Sequence, residues 1–435
     1  MTFDDILQKK KQGAALSREE IRFFVRRLVE EQIPDYKTAA FLMAVCFVGM
    51  TAEETFYLTD EMAKSGDALD LSAFGDLSAD KHSTGGVGDK TTLIVAPIAA
   101  AAGCKIAKMS GRGLGDTGGT IDKLESIPSF RVTLSEDRFF AQVQQIGIAV
   151  VGQSGELAPA DKKLYALRDV TCTVDSLPLI ASSIMSKKLA AGAHNIVLDV
   201  KYGSGAFMKT PADAAALAEA MLDIGRRKGR RMAAVISDMN TPLGRCVGNA
   251  LEVREAMQVL KGETDGGALR EVSLTLSGAM IALTFQLPFA EGFDRAQQLL
   301  ENGKALQKFT EWIGAQGGDA AVADHPDRLP LSPCALTLTA PQDGYLSAID
   351  AGCAGRIAKL LGAGRQNKGD AIDYGAGLEF LHTVGDFVKQ GEPVVRLYTK
   401  SEDLRSLLGD LTANLLWFSD KKPQAQKPIV QILGV

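Results

Sequence analysis

Between residues 81 and 125 the chain carries nine glycines, eight of them in two clusters, D-K-H-S-T-G-G-V-G-D-K-T-T at 80–92 and K-M-S-G-R-G-L-G-D-T-G-G-T-I-D-K-L-E at 108–125. An apolar run separates them. Glycine lets a backbone turn tightly and lets its N–H groups approach an anion closely. The polar residues among these glycines include Lys81, His82, Ser83, Thr92, Ser110, Arg112 and Thr120, and the carboxylates beside the glycines themselves are Asp89 and Asp116. That is a donor set, and two such loops suggest a phosphate site. The plainer alternative is a pair of turns that connect strands.

Two familiar phosphate motifs fail on the residues. A P-loop needs G-x-x-x-x-G-K-[ST]; Lys90-Thr91 supplies its end, but both glycine positions are filled by Thr84 and Asp89. Gly113-x-Gly115-x-x-Gly118 matches the dinucleotide fingerprint, with Glu136 at a suitable distance. The helix that follows would meet Pro128 within about three turns, too short for a crossover. No H-E-x-x-H, Cys/His cluster or G-x-S-x-G occurs, which argues against a transition-metal site and the usual hydrolase elbow.

At 435 residues two or three domains are expected. A net charge of −5 without a basic cluster argues against nucleic-acid binding. The six cysteines show no C-x-x-C spacing and read as small hydrophobes in a reducing compartment. Residues 1–13 are polar and lysine-rich, unlike a signal peptide. The apolar run 93–102 is short of the roughly 20 residues that cross a membrane, and Pro97 interrupts it. A cytoplasmic protein without membrane partners is expected.

The first third reads as helical. Ser17 with Glu20, and Thr51 with Glu54, are capping boxes. Between Pro34 and Gly49 residues 39–48 are nearly all apolar, so that helix must be covered by its own domain or by a partner subunit. F-R-V-T-L near 130 and I-G-I-A-V-V near 148 look strand-like or helical. Residues 159–192 are helical again; I-V-L-D-V-K-Y is a buried strand, 212–226 an alanine-rich helix and A-A-V-I-S-D a further strand. This alternation predicts an α/β domain with largely parallel strands. Past about 335 short strands and tight turns predict a β-rich module. The expected division is 1–65 helical, 66–154 α/β with the glycine loops, 155–193 helical, 194–334 α/β, and 335–435 the C-terminal module.

Tyr165 and Arg168 stand at i, i+3, and Ser183 and Lys187 at i, i+4, so each pair shares a helix face. Function and a solvated charged face remain open for Arg168 and Lys187. For Lys162, Lys163 and Lys188 the solvated face is the expectation. His82, in a donor-rich loop, is a better proton donor than His194, His325 or His382.

S-G-R-G-L-G-D-T-G-G-T-I-D-K-L-E at 110–125 and K-H-S-T-G-G-V-G-D at 81–89 closely resemble the hallmarks of the thymidine and pyrimidine-nucleoside phosphorylases. L-Y-A-L-R-D-V-T at 164–171, S-S-I-M-S-K-K at 182–188, T-P-L-G-R-C-V-G-N-A-L-E-V-R-E at 241–255 and L-G-A-G-R at 361–365 extend the resemblance through the chain. It implies reversible phosphorolysis of uridine, thymidine and deoxyuridine to free base and α-D-(deoxy)ribose 1-phosphate. It also implies a small helical domain, a larger α/β domain, a cleft between them that closes on substrate, and a homodimer formed through the helical domain.

By the same resemblance, phosphate is held by Lys81, Ser83, Thr92, Lys108, Met109, Ser110 and Thr120. The base is held by His82, Tyr165, Arg168, Ser183 and Lys187, with His82, Arg168 and Lys187 catalytic. A potassium ion is implied at Gly88, Lys90, Leu243, Cys246 and Glu255; no organic cofactor is. Asp116 stands where the family usually has histidine; its charge is kept from phosphate either by pointing away or by pairing, with Arg112 or Lys123 as partners. The competing readings are a strict thymidine phosphorylase, an anthranilate-type phosphoribosyltransferase and a non-catalytic nucleoside-binding protein.

Overall fold

A computed structural model describes residues 1–113, 118–153, 157–264, 266–367, 369–401 and 412–435. The chain divides into two compact units, Met1–Gly75 with Gln153–Ile196 and Ala215–Met232, and Asp76–Gly152 with Val197–Ala214 and Ala233–Val435.

The smaller unit is helical. Its first helices, Phe3–Lys11, Arg18–Val29 and Ala52–Ala63, each begin on a capping box, Thr2 with Asp5, Ser17 with Glu20 and Thr51 with Glu54. The reciprocal bonds satisfy N–H groups that an isolated helix start leaves open. Phe24 packs between Phe3 and Phe41, with ring centroids 5.3 and 4.5 Å away. The helix Asp35–Val48 buries Phe41, Leu42 and Val45 in this core and stops at Gly49. Its other side is uncovered in the protomer, with Phe47 85% and Tyr36 72% exposed. Pro159–Val170 and Leu177–Ala190 complete the long helices of the helical stretch read from the sequence.

The larger unit is built on a four-stranded sheet in the order Ala79–Ser83, Asn195–Tyr202, Arg231–Asp238, Ile429–Leu433. The last strand runs antiparallel to its neighbour, so the end of the chain completes the sheet. Beside it Ile106–Ser110 pairs in parallel with Ile148–Gly152. The β-rich part is likewise interwoven: Cys246–Gly248 joins Gly377–Phe380, Pro393–Tyr398 and Cys334–Thr339 in one antiparallel sheet.

Three local expectations change. Residues 130–134 form no strand; there Arg131 N–H and Val132 C=O bond to Gln316 and Gly152 as single links. Pro97 does not end its helix, which runs Thr91–Ala101 through it. One backbone bond is lost, and nearly complete burial of the apolar residues around it outweighs that loss. The helix Gly267–Phe285, where Ser and Thr hide the apolar run in the sequence, is long and apolar enough to cross a membrane. It is mostly buried within the protein, as the core helix of a folded unit is.

Candidate active site

The first glycine loop leaves the strand Ala79–Ser83 and enters the helix Thr91–Ala101. Lys81, in the middle of that strand, is buried. Its ammonium donates to Thr91 Oγ1 and lies 3.4 Å from Asp199 Oδ2 and 3.8 Å from Asp89 Oδ1. Lys108, on Ile106–Ser110, donates to Asp80 Oδ1 at 2.9 Å and to the Lys81 carbonyl at 2.5 Å. Lys81, Thr92 and Lys108 line one small cavity, floored by Val95, Ile106 and Met280. Ser83 Oγ accepts from Gly85 N–H at 3.2 Å, which shapes the turn. Met109 and Ser110 end the neighbouring strand, half-buried, and Thr120 opens the short helix Thr120–Glu125. Gly111 C=O accepts from Ile121 N–H at 3.4 Å, which keeps those two ends adjacent.

This pocket is not the acceptor-poor set the loops alone suggested. Asp80 and Asp199 balance the lysines, and Lys201 lies 2.9 Å from Asp199 Oδ2. Burial works to raise the Asp89 carboxyl, but Lys81 and Lys201 outweigh it and hold it well below the usual carboxylate range. The sequence did carry a mark of Asp199. In I-V-L-D-V-K-Y the two charges of an otherwise apolar strand stand at i, i+2, on one face.

In the second loop Arg112 bonds Asp122 at 3.1 Å and also Glu125, and Arg365 reaches Asp122 at 2.9 Å. Asp122 also accepts from Gly113 N–H at 2.6 Å. Gly119 has to be glycine, because an added Cβ would fall 2.1 Å from Gly113 N. Lys123 donates to Gly118 C=O at 3.0 Å and pairs with Glu252 at 3.3 Å. Asp116, for which Arg112 and Lys123 are the suggested partners, lies outside the described residues.

The helical unit brings Tyr165, Arg168, Ser183 and Lys187 together. Arg168 Cζ and Lys187 Nζ lie 5.7 and 5.6 Å from the centre of the Tyr165 ring. Lys187 Nζ donates to Asp161 Oδ2 at 2.6 Å and to Ser183 Oγ at 3.3 Å. Arg168 is buried and donates to the carbonyls of Thr173, Leu179 and Val174 at 3.1, 3.1 and 2.6 Å. Burial lowers its affinity for its proton, and burial raises that of the Tyr165 phenol. The i, i+3 and i, i+4 spacings thus do form one polar face. Asp161 was missed, although it precedes Tyr165 by four residues and Arg168 by seven on that face. Lys188, read as solvated, is buried, whereas Lys162 is exposed and Lys163 half-buried. His82 stands half-buried in the strand Ala79–Ser83 of the larger unit.

Comparison with known proteins decides the family. A glycosyl transferase family helical bundle domain matches residues 4–66, and the a/b domain of that family matches 75–306. A pyrimidine nucleoside phosphorylase C-terminal domain matches 345–416. The pyrimidine-nucleoside phosphorylase of Geobacillus stearothermophilus is 52% identical over 95% of this chain and 96% of its own. The chain belongs to the pyrimidine-nucleoside phosphorylase family. The Bacillus subtilis member is 51% identical over 95% of this chain and 96% of its own. Among solved structures, anthranilate phosphoribosyltransferase from Thermus thermophilus covers 72% of this chain and 99% of its own, with TM-score 0.58 at 20% identity; the two share a fold.

The residues expected around potassium close on a lysine ammonium instead. Lys90 is buried at the start of the helix Thr91–Ala101. Its ammonium donates to Leu243 C=O at 2.8 Å, Cys246 C=O at 2.9 Å and Glu255 Oε2 at 2.6 Å. Gly88 lies against the same carbonyls, since a Cβ there would be 2.9 Å from Leu243 O and 3.2 Å from Cys246 O. All five residues expected around potassium do meet. Lys90 enters not through its backbone oxygen but as a cation among the oxygens, so these residues do not fit a potassium ion while that ammonium stays in place.

Proposed function

We propose that this pyrimidine-nucleoside phosphorylase family member catalyses reversible phosphorolysis of uridine, thymidine and deoxyuridine, giving free base and α-D-(deoxy)ribose 1-phosphate. The observation that carries the proposal is the Tyr165 ring flanked by Arg168 and Lys187, a platform suited to a planar base that departs as an anion. Phosphate attacks the anomeric carbon. A C–O bond forms there as the C–N bond breaks, and its electron pair goes to the pyrimidine N1 and spreads to the carbonyl oxygens. No covalent enzyme intermediate is required, so the protein's task is to position one anion and stabilise another.

Lys81, Ser83, Thr92, Lys108, Met109, Ser110 and Thr120 line the phosphate in this reading. Asp89 and Asp199 keep Lys81 oriented, and Asp80 does the same for Lys108. Lys187 has three N–H donors; two go to Asp161 and Ser183, which leaves one for a base oxygen. Arg168 likewise retains an N–H on each terminal nitrogen beyond those bound to carbonyls. His82 donates a proton or hydrogen bond to a base carbonyl.

We place the enzyme in the cytoplasm, consistent with six free cysteines. We also infer a homodimer through the helical unit, supported by the exposed side of Asp35–Val48. The five-segment division remains our proposal; the spans of the three domain matches favour it, while the two-unit split groups Ala215–Met232 with the helical segments.

The test is to incubate the protein with thymidine, deoxyuridine, uridine and cytidine, with and without phosphate, and follow free base. Phosphate-dependent release of thymine and of uracil from both uridine and deoxyuridine is expected. Release from thymidine and deoxyuridine alone narrows the enzyme to a thymidine phosphorylase. No release in any mixture overturns the proposal.

A further inference from the structure

The oxygens around Lys90 come from two separate stretches. Leu243 and Cys246 supply carbonyls from a turn, and Glu255 supplies a carboxylate from the helix Asn249–Lys261. The cage groups are also tied to their surroundings by bonds that do not involve Lys90. Glu255 also accepts from Arg245 N–H at 2.6 Å and from Cys246 N–H at 2.9 Å, so both its oxygens are fixed. Leu243 N–H in turn donates to Val87 C=O at 3.0 Å, beside Gly88. Carbonyl and carboxylate oxygens are the donors a hard, desolvated cation prefers. An alkylammonium offers the same single charge, and its three N–H groups meet three oxygens here with none left over.

We propose that Lys90 is a tethered monovalent cation. It occupies the oxygen cage that family members are expected to fill with potassium, and it anchors the first glycine loop to the 243–246 turn and the helix Asn249–Lys261 without any ion. The family reading supplies only the identity of the ion replaced; the cage and its ammonium stand on geometry alone. All three groups facing the Lys90 nitrogen are acceptors, two carbonyls and a carboxylate, which suits an ammonium with three N–H donors and leaves no donor for the lone pair of a neutral amine. A bound ion stabilises by mass action and leaves when its concentration falls. A covalently attached cation does neither, so this chain's stability is independent of potassium.

The test compares thermal unfolding of the full chain in potassium chloride and choline chloride at equal ionic strength, for the wild type and for Lys90→Thr. The wild type is expected to unfold at the same temperature in both salts across the titration. Lys90→Thr is expected to unfold several degrees lower in choline chloride and to recover saturably as potassium replaces choline. A saturable, potassium-selective rise in the wild type overturns the proposal, as does a variant that responds equally to the two salts. Should Lys90→Thr fail to fold in either salt, calorimetric titration of the wild type with potassium chloride decides: no saturable heat supports the tethered cation and saturable binding refutes it. None of these readouts requires nucleoside turnover, so failure of the proposed reaction and failure of this inference are separable.

Discussion

Lys187 and Arg168 are both cations on the same helical face, yet truncating them should have different consequences. Lys187 is partly exposed and its two bonds run to side chains, Asp161 and Ser183. Lys187→Ala should therefore fold normally and lose about 10²–10³ in kcat, the usual cost of removing one transition-state donor. Arg168 holds three backbone carbonyls of the 173–179 segment. Its alanine variant should lose turnover and also on the order of 3 kcal/mol or more of stability, because buried acceptors lose a charged donor. Steady-state phosphorolysis of thymidine beside thermal unfolding separates the two; a fully stable Arg168→Ala protein would remove the structural role. The cations were legible because i, i+3 and i, i+4 spacing fixes which side chains share a helix face. Their carboxylate partners were less so. Asp80 and Asp199 reach Lys108 and Lys81 from other points of the chain, and a local pattern does not say which distant acid arrives.

Glu54 shows the same limit in an element whose local signal was strong. Thr51 and Glu54 marked a helix start, and Glu54 Oε2 does accept from Thr51 N–H at 2.8 Å. The other oxygen accepts from Lys10 Nζ at 2.8 Å and Leu16 N–H at 2.9 Å, with Lys10 and Glu54 each only 2% exposed. One carboxylate thus caps its own helix and neutralises a lysine on Phe3–Lys11. Glu54→Gln keeps a capping oxygen but leaves the Lys10 ammonium buried beside a neutral amide. It should cost about 3–5 kcal/mol, as breaking a buried pair does, whereas the apolar pair Lys10→Met with Glu54→Leu should recover much of that loss. Calorimetric unfolding of the two variants measures the difference. A double variant less stable than Glu54→Gln would mean that the capping bond, not the charge pair, carries the stability. Helix starts were readable because a cap involves residues three apart. Interior features such as Pro97 within Thr91–Ala101 were not, because packing from Gly267–Phe285 and Lys304–Ala315 decides whether the helix survives a missing bond.

Over the whole molecule, buried carboxylates set how the fold responds to acid. Burial works to raise the Asp60 carboxyl, but Lys228 and Lys64 outweigh it and hold it below its ordinary 3.8. Glu54 is held below 4.5 against the same burial by Lys10 and by N–H groups of Thr51 and Leu16, and Asp89 falls well below its range. A carboxyl whose folded pKa is depressed stabilises fully above its unfolded value, and that contribution is lost as pH falls through the folded value. Loss should begin as pH drops below about 4.5 and continue below 3.8. Glu252 acts in the opposite sense, since burial raises its carboxyl despite Lys123 and Lys90; it offsets part of the slope. Unfolding temperatures between pH 7 and pH 3 should therefore fall steeply at the acid end, and less steeply in Asp60→Asn. Assembly is the other property of the whole. Phe47, Tyr36 and Val48 leave one side of Asp35–Val48 apolar and 85%, 72% and 41% exposed, whereas Phe41, Leu42 and Val45 from the same helix are already buried in the protomer. Scattered exposed apolar residues need no partner, but three from one helix form a patch of the kind that marks an interface. In a symmetric dimer each Phe47 is used twice, so Phe47→Glu places two carboxylates in the contact while leaving the protomer core untouched. Light scattering should find the wild type at twice the protomer mass and Phe47→Glu at the protomer mass with an unchanged helical content. A Phe47→Glu protein that remains dimeric would move the interface off this helix.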